Sequence, residues 1–330
     1  MKSLVTGGAG FIGSNLVDQL VKKGHKVIIL DNFSTGRRSN LSHHKKKNVK
    51  IVNVDISSKT KLDKYFKNVN YVFHLAGLAD IVPSIENPEK YFNSNVVGTL
   101  NVIGASKKIK LKKFIFAASA SCYGIPKKFP TDESAKIQPM YPYALTKWQA
   151  EELVMHWVKI YNFPAISFRF FNAYGPRSRT SGSYGAAFGV FLAQKLANKP
   201  LTIVGNGNQT RDFIHVSDLV NGIIKAATSN KKGEIYNIGS GKETKVNKIA
   251  KLIGGRKVYI PKRPGEPNRS IADISKIKKH LNWKPKIKIE DGVKDLLSKI
   301  HYWKEAPVWN PASIKKATRV WFKFLKKNNL

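Results

Sequence analysis

Apolar residues in the first part of the chain alternate between two rhythms. Lys2–Thr6, Val27–Leu30, Val49–Val54, Tyr71–Leu75 and Phe114–Ala118 are short runs rich in β-branched residues and read as buried strands. Between them the spacing is helical. Phe11–Lys23 sets Phe11, Ile12, Leu16 and Leu20 on one face and stops at Gly24. Pro88–Lys107 and Tyr143–Ile160 read as longer helices, and Ala165–Phe170 returns to strand. This βαβαβ rhythm predicts a parallel, doubly wound α/β sheet. In such sheets ligands bind beyond the carboxyl ends of the strands.

Beyond Asn172 the pattern is less regular. Pro176–Tyr184 is a polar Gly/Ser/Arg loop, Ala186–Ala197 and Val216–Thr228 read as helices, and Ile235–Ile238 as strand. The expected division is a nucleotide-binding unit over residues 1–172 and 212–240 and a smaller, interleaved C-terminal substrate unit over 173–211 and 241–300. Residues 301–330 form a basic amphipathic tail. Within it, Pro311–Lys327 brings Ile314, Ala317, Trp321, Phe324 and Leu325 near one helical face, with Lys315, Lys316, Lys323, Lys326 and Lys327 elsewhere. Such a helix either makes peripheral contact with an anionic membrane or docks on its own domain or a partner chain.

Composition narrows the class. The 330 residues are 42% apolar and 24% charged, as in a folded globular protein rather than a disordered one. A single cysteine, Cys122, excludes an intrachain disulfide and a cysteine-rich zinc site, and fits a cytoplasmic setting. No apolar run reaches the ~18 residues of a membrane span, and the start of the chain lacks a signal-peptide core. His25, His43, His44, His74 and His215 lack ligand spacing, so no metal is expected. The 58 Lys+Arg against 21 Asp+Glu give a net charge of +37. The lysines are scattered, whereas nucleic-acid sites favour clustered arginine. The charge therefore reads as solvated faces, with no nucleic-acid partner, and its field would draw anionic substrates.

Two constellations carry chemistry. Gly7, Gly10 and Gly13 follow the first strand and open the first helix, with Phe11 and Ile12 between the last two. Glycine there permits a tight turn, close approach of a pyrophosphate and close helix–strand packing, and the helix N-terminus favours phosphate. Asp31 lies 18 residues after Gly13, at the end of the second strand. An acid in that place accepts from a ribose diol and favours NAD over NADP. A P-loop is excluded, because Ser14 follows Gly13 where a lysine would be needed. The second constellation is Tyr143 and Lys147, one helical turn apart, with Ser119 just after the strand Phe114–Ala118. A phenol with pKa about 10 must fall by ~3 units, roughly 4 kcal/mol, to act as a base near neutrality. The expectation is that the neighbouring ammonium and a nicotinamide ring supply that Coulomb energy.

Together Gly7–Gly13, Asp31–Gly36, His74–Gly77, Tyr143-x-x-x-Lys147, Arg169–Pro176 and Arg211–His215 resemble the extended short-chain dehydrogenase/reductase family. Within it they resemble the NAD-dependent nucleotide-sugar epimerases and dehydratases, closest to UDP-hexose 4-epimerases. The resemblance implies a Rossmann-type fold with NAD as cofactor. It places Asp31 and Asn32 at the adenosine ribose, Asp55 and Ile56 at the adenine, and Leu75, Ala76, Gly77 and Asn95 along the cofactor groove. It makes Ser119, Tyr143 and Lys147 catalytic, with the last two also touching cofactor. Ser84, Ser119, Asn172, Arg211, Arg263 and Ser270 would touch the nucleotide-sugar substrate, and the helices Pro88–Lys107 and Tyr143–Ile160 would build a homodimer.

The residues before Tyr123 bear on the reaction. By the same resemblance, dehydratases carry an Asp-Glu pair there and glucuronate decarboxylases a Glu where Ser121 stands; this chain has Ala120-Ser121. Cys122 reads as a small buried thiol rather than the acid of a 3,5-epimerase. Without a second acid/base, oxidation and re-reduction at C4 remain, which is 4-epimerisation. Ser270 stands where epimerases restricted to plain hexoses have a bulky Tyr, so a UDP-N-acetylhexosamine would fit. Alternatives are a lyase with displaced acid/base groups, a keto-sugar reductase consuming NAD(P)H, and a non-catalytic nucleotide sensor.

Overall fold

The computed structural model describes residues 1–58, 61–178 and 187–325. Its core is a seven-stranded sheet of β1 (Lys2–Thr6), β2 (Lys26–Asp31), β3 (Val49–Asn53), β4 (Tyr71–His74), β5 (Lys113–Ser119), β6 (Ala165–Phe170) and β7 (Glu234–Ile238). All pairs are parallel, in the order β7-β6-β5-β4-β1-β2-β3. The direction of winding reverses beside β1, which pairs with β2 on one edge and β4 on the other. That reversal opens a crevice at the strands' carboxyl ends.

Both faces of the sheet are covered, which is why the strands read as nearly continuous apolar runs. On one face α1 (Phe11–Lys22) meets the later helix Val216–Thr228, burying Leu16, Val17, Leu20, Leu219 and Ile223. On the other, α2 (Gly98–Lys107) and α3 (Pro142–Tyr161) bury Val102, Ile103, Ala150 and Val154 against Phe114 and Phe116. The helix expected over Pro88–Lys107 is built from Pro88–Phe92, a π-helical turn at Asn93–Val97, and α2.

A third cluster lies apart from the sheet and gathers Tyr174, Phe188, Phe191, Leu201, Ile249, Leu296 and Trp303. Around it sit short paired strands, Leu201–Val204 with Lys257–Ile260 and Thr210–Arg211 with Thr244–Lys245. Trp303 and Ala306 belong to this cluster, so the chain beyond 300 begins as core rather than as tail. The polar loop expected to Tyr184 and the start of the next helix at Ala186 fall partly outside the described residues; the helix runs Ala187–Leu196.

The tail is two short helices, Pro311–Ala317 and Arg319–Leu325, rather than one. Thr318 separates them, and its hydroxyl donates to the Ile314 carbonyl at 2.8 Å. Ile314 and Trp321 are buried against the protein itself, so of the two expectations the docked one describes this segment. Lys326 and Lys327 lie outside the described residues. Among the described residues no helix is long and apolar enough to cross a membrane.

His74 ties three elements together at the crevice. The Thr99 hydroxyl donates to the Asn95 carbonyl at 2.6 Å. It therefore accepts from His74 Nε2–H, 2.8 Å away, leaving Nδ1 to accept from Thr6, 2.7 Å away. Burial pushes the His74 pKa down to about 3, so the native ring is neutral. Unfolded, the ring titrates near ~6.5. Below that pH the unfolded chain binds a proton that the fold does not, and stability falls as pH drops. Lowering pH from ~6.5 to ~5 should cost about 2 kcal/mol through this residue. Chemical denaturation across that range should give a flatter slope for His74→Gln than for the natural protein, although the variant is less stable throughout.

Candidate active site

The crevice is a single cleft of about 740 Å³ running from the β1 turn to the third cluster. At one end the backbone leaves β1 through Gly7, whose φ of +68° suits glycine. A Cβ on Gly7 would lie 2.8 Å from the Ala76 backbone, and one on Gly13 only 2.1 Å from the Gly7 carbonyl. The glycines thus let β1, α1 and the Leu75–Gly77 loop approach closely, leaving the first amides of α1, which have no intrahelical partner, facing the cleft. Asp31 ends β2 with its carboxylate accepting from Ala9 N–H at 2.9 Å and Phe33 N–H at 2.8 Å. Burial raises its pKa against those two hydrogen bonds. Asn32 donates to Asp55 at 2.9 Å, and Ser57 donates to the other Asp55 oxygen.

Further along, Ser119 is the last residue of β5 and caps the 3-10 turn Ala120–Tyr123. Its Oγ is 2.8 Å from the Ser121 Oγ. Tyr143 and Lys147 project from the first turns of α3 into the same space, where Pro142 starts the helix. The Lys147 ammonium is buried 4.7 Å from the Phe116 ring centroid. Burial lowers its pKa to about 8, and the Glu151 carboxylate, one turn on, works against that fall. The expected drop in the Tyr143 pKa is not a property of the protein alone. Burial raises it, while hydrogen bonds with Ser119 and Ser121 pull it back.

Glu151 belongs to a network that the sequence reading missed. Its Oε1 accepts from Arg169 Nη2 at 2.6 Å and Nε at 2.9 Å, and its Oε2 accepts from Ser167 at 2.7 Å. Arg169 also donates to the Tyr123 hydroxyl and the Glu133 carbonyl, and Tyr123 donates to Asn237. Glu151 lies eight residues after Tyr143, on the same helical face, which is the signal that would have found it.

At the far end two arginines share a carboxylate. Glu266 accepts from Arg263 at 2.8 Å and from Arg211 at 3.5 Å. Arg211 is also held by the Thr210 and Pro267 carbonyls. Asp212, fully buried, accepts from the Ser240, Gly241 and Ala272 amides and so fixes the strand that carries Arg211.

Most residues expected at the site line this cleft: Gly7, Gly10, Phe11, Ile12, Gly13, Asp31, Asn32, Asp55, Ile56, Leu75, Ala76, Gly77, Ser119, Tyr143, Lys147, Asn172, Arg211, Arg263 and Ser270. Two do not. Ser84 is fully buried and its hydroxyl donates to the Ile81 carbonyl at 2.6 Å, inside its own helix. Asn95 sits behind the groove, accepting from Leu78 N–H at 2.8 Å and donating to Thr146 at 3.0 Å. It braces the loop that faces the cleft. Ser121 and Tyr141 line the cleft without having been singled out. Among the described residues one cluster could offer three metal-ligating atoms, Asp18, His43 and His44, away from this cleft. Both imidazoles bond the same Asp18 oxygen, and Arg177 pairs with the other.

A family model, GDP-mannose 4,6 dehydratase, matches residues 4–296. The chain belongs to this family. It is 38% identical over 303 residues to a Methanocaldococcus jannaschii protein provisionally named UDP-glucose 4-epimerase, covering 89% of this chain and 97% of that one. It is 33% identical to UDP-glucuronic acid decarboxylase 1 of Xenopus tropicalis, covering 92% of this chain and 72% of the relative. Among solved structures, a UDP-N-acetylglucosamine 4-epimerase from Methanobrevibacter ruminantium M1 in complex with UDP-N-acetylmuramic acid superposes with a TM-score of 0.85 at 33% identity, covering 90% of this chain and 98% of that one. A UDP-glucuronic acid 4-epimerase from Bacillus cereus in complex with UDP-glucuronic acid and NAD superposes equally well, 0.85 at 32% identity, covering 92% and 99%.

The ion pair beneath the site should dominate local stability. Glu151→Ala strands the buried Arg169 and should cost about 3–5 kcal/mol in unfolding free energy. Removing the exposed pair Lys108–Asp63 should cost under ~1 kcal/mol in the same denaturation experiment.

Proposed function

We propose that the protein is an NAD-dependent nucleotide-sugar 4-epimerase acting on a UDP-hexose or a UDP-N-acetylhexosamine. The observation that carries this is the set of groups around Ser119. Tyr143, Lys147 and Ser119 meet in one cleft, and the place from which a lyase would present its second acid holds Ser121, a hydroxyl 2.8 Å from Ser119.

The fit for NAD rests on the cradle itself. Gly7 and Gly13 admit no side chain between β1, α1 and the Leu75–Gly77 loop, which suits a pyrophosphate laid against the start of α1, and Asp31 offers a carboxylate at the end of β2. NAD bound there supplies a hydride acceptor at C4 of the sugar and returns the hydride within the same turnover. Tyr143 takes the proton of the C4 hydroxyl as general base. Lys147, still charged below its pKa of about 8, stabilises the phenolate, and Ser119 holds the sugar oxygen. Arg211 and Arg263 grip the diphosphate, because guanidinium forks match phosphate oxygens. With the diphosphate fixed, the 4-keto sugar turns about its anchor and presents its other face. Asn172, which lines the same cleft, joins them at the diphosphate, and the small Ser270 leaves space for an N-acetyl group on the sugar. Residues 1–172 and 212–240 would hold the cofactor, and residues 173–211 and 241–300, joined by the Trp303 segment, the substrate.

A homodimer is part of this reading. Phe92, Leu100, Leu145, Ile160 and Tyr161 are exposed on two neighbouring helical stretches, the run ending in α2 and α3. Exposed large apolar side chains on adjacent helices favour a partner surface. The single buried thiol, Cys122, supports a reducing, cytoplasmic setting.

Incubation with UDP-glucose, UDP-N-acetylglucosamine and UDP-glucuronate without added cofactor, followed by NMR, should yield the C4 epimer of at least one. Tyr143→Phe should lower that rate by at least ~100-fold while bound nucleotide is unchanged. A rate near that of the natural protein would overturn the assignment, and carbon dioxide from UDP-glucuronate would favour a decarboxylase. Light scattering should give a dimer for the natural chain and a monomer for Leu100→Glu/Leu145→Glu.

A further inference from the structure

The helix Arg319–Leu325 lies beyond the stretch shared with the family, which ends at residue 296. It nevertheless reaches the substrate end of the cleft. Trp321 is buried and lines the cleft. Its indole N–H donates to the Pro264 carbonyl at 2.8 Å. Its ring faces the Arg263 guanidinium, 5.2 Å from the ring centroid. The same helix packs on the helix Ile81–Glu86, whose Ile81 and Val82 also line the cleft. Phe322 and Leu325 approach the Arg263–Asn268 loop.

The segment therefore spans the mouth. It touches both the loop that carries Arg263 and the helix Ile81–Glu86. A lone arginine on a loop samples many rotamers, and holding it in one costs side-chain entropy at the moment a ligand binds. The loop here is fixed through the Pro264 carbonyl, and Arg263 is held between the Trp321 face and the Glu266 carboxylate. A guanidinium held against an aromatic face can still donate from its N–H groups to a phosphate oxygen.

We propose that Trp321 is a positioning residue for the nucleotide sugar, and that the C-terminal segment is a strap that preorganises Arg263 for the diphosphate. The inference rests on the reading above that Arg211 and Arg263 hold the diphosphate. It makes affinity for the phosphate-bearing part of the substrate depend on a segment outside the shared family core.

The test compares Trp321→Ala, Trp321→Phe, Arg263→Ala, the double variant Arg263→Ala/Trp321→Ala, and a chain ending at Asn310. Calorimetry reads affinity for UDP and for uridine, and bound nucleotide reports an intact cofactor site. Trp321→Ala and the shortened chain should weaken UDP binding about tenfold and raise KM by a similar factor, with kcat within about twofold and uridine affinity unchanged. Trp321→Phe should recover most of the loss, and should Trp321→Ala fail to fold, it and the shortened chain decide the matter. The double variant should bind UDP no more weakly than Arg263→Ala. Equal UDP affinity in Trp321→Ala, or additive losses in the double variant, would overturn the strap. If Arg263→Ala itself binds UDP normally, the diphosphate assignment fails first.

Discussion

Keeping an ammonium ionised in a dry pocket is the constraint around which this site is arranged. Lys147 is removed from water at the end of the sheet, against Phe116, and burial pulls its pKa down. Glu151 opposes this from the next turn of α3, but a buried carboxylate needs its own compensation. Arg169 on β6 supplies it with two hydrogen bonds to one oxygen, and Ser167 satisfies the other. Arg169 in turn engages Tyr123 at the end of the β5 turn, and Tyr123 reaches Asn237 on β7. The charge of one lysine thus depends on three neighbouring strands and a helix being in register.

The same logic separates the two ends of the cleft. At the cofactor end, recognition uses backbone: glycines that permit close approach, amides at the start of α1, and one carboxylate. A dinucleotide bound there meets little that has to move. The far end instead presents long charged side chains, Arg211 from a short strand and Arg263 from a loop. Arg211 and Arg263 are parked on Glu266, which shields their charges from each other. An incoming diphosphate offers more oxygens than one carboxylate and can displace it. The two ends of the cavity are thus built differently, one from backbone and one from paired charged side chains.

Much of this was legible in the chain before any coordinates. The strands announced themselves as β-branched runs because a parallel sheet covered on both faces admits few polar side chains. The Gly7–Gly13 turn, Asp31, and the Tyr143/Lys147 spacing were readable because backbone geometry and helical periodicity are local. That Ser84 and Asn95 lie outside the cleft lining was not readable, for the opposite reason. Motif position does not say which way a polar side chain on a short helix points, and both turn inward to satisfy nearby carbonyls and amides. The tail was ambiguous because its amphipathic pattern records that an apolar face exists but not what covers it.

Sequence alone therefore determined the doubly wound architecture, the glycine turn that opens the cleft and the spacing that brings Ser119, Tyr143 and Lys147 into it, since each depends on local backbone geometry. Tertiary structure decided which charges are paired, how far the Tyr143 phenol is from its reactive state, and where Trp321 rests. Those outcomes depend on desolvation and on contacts between residues such as Arg263 and Trp321, far apart in the chain, and neither can be read from local spacing.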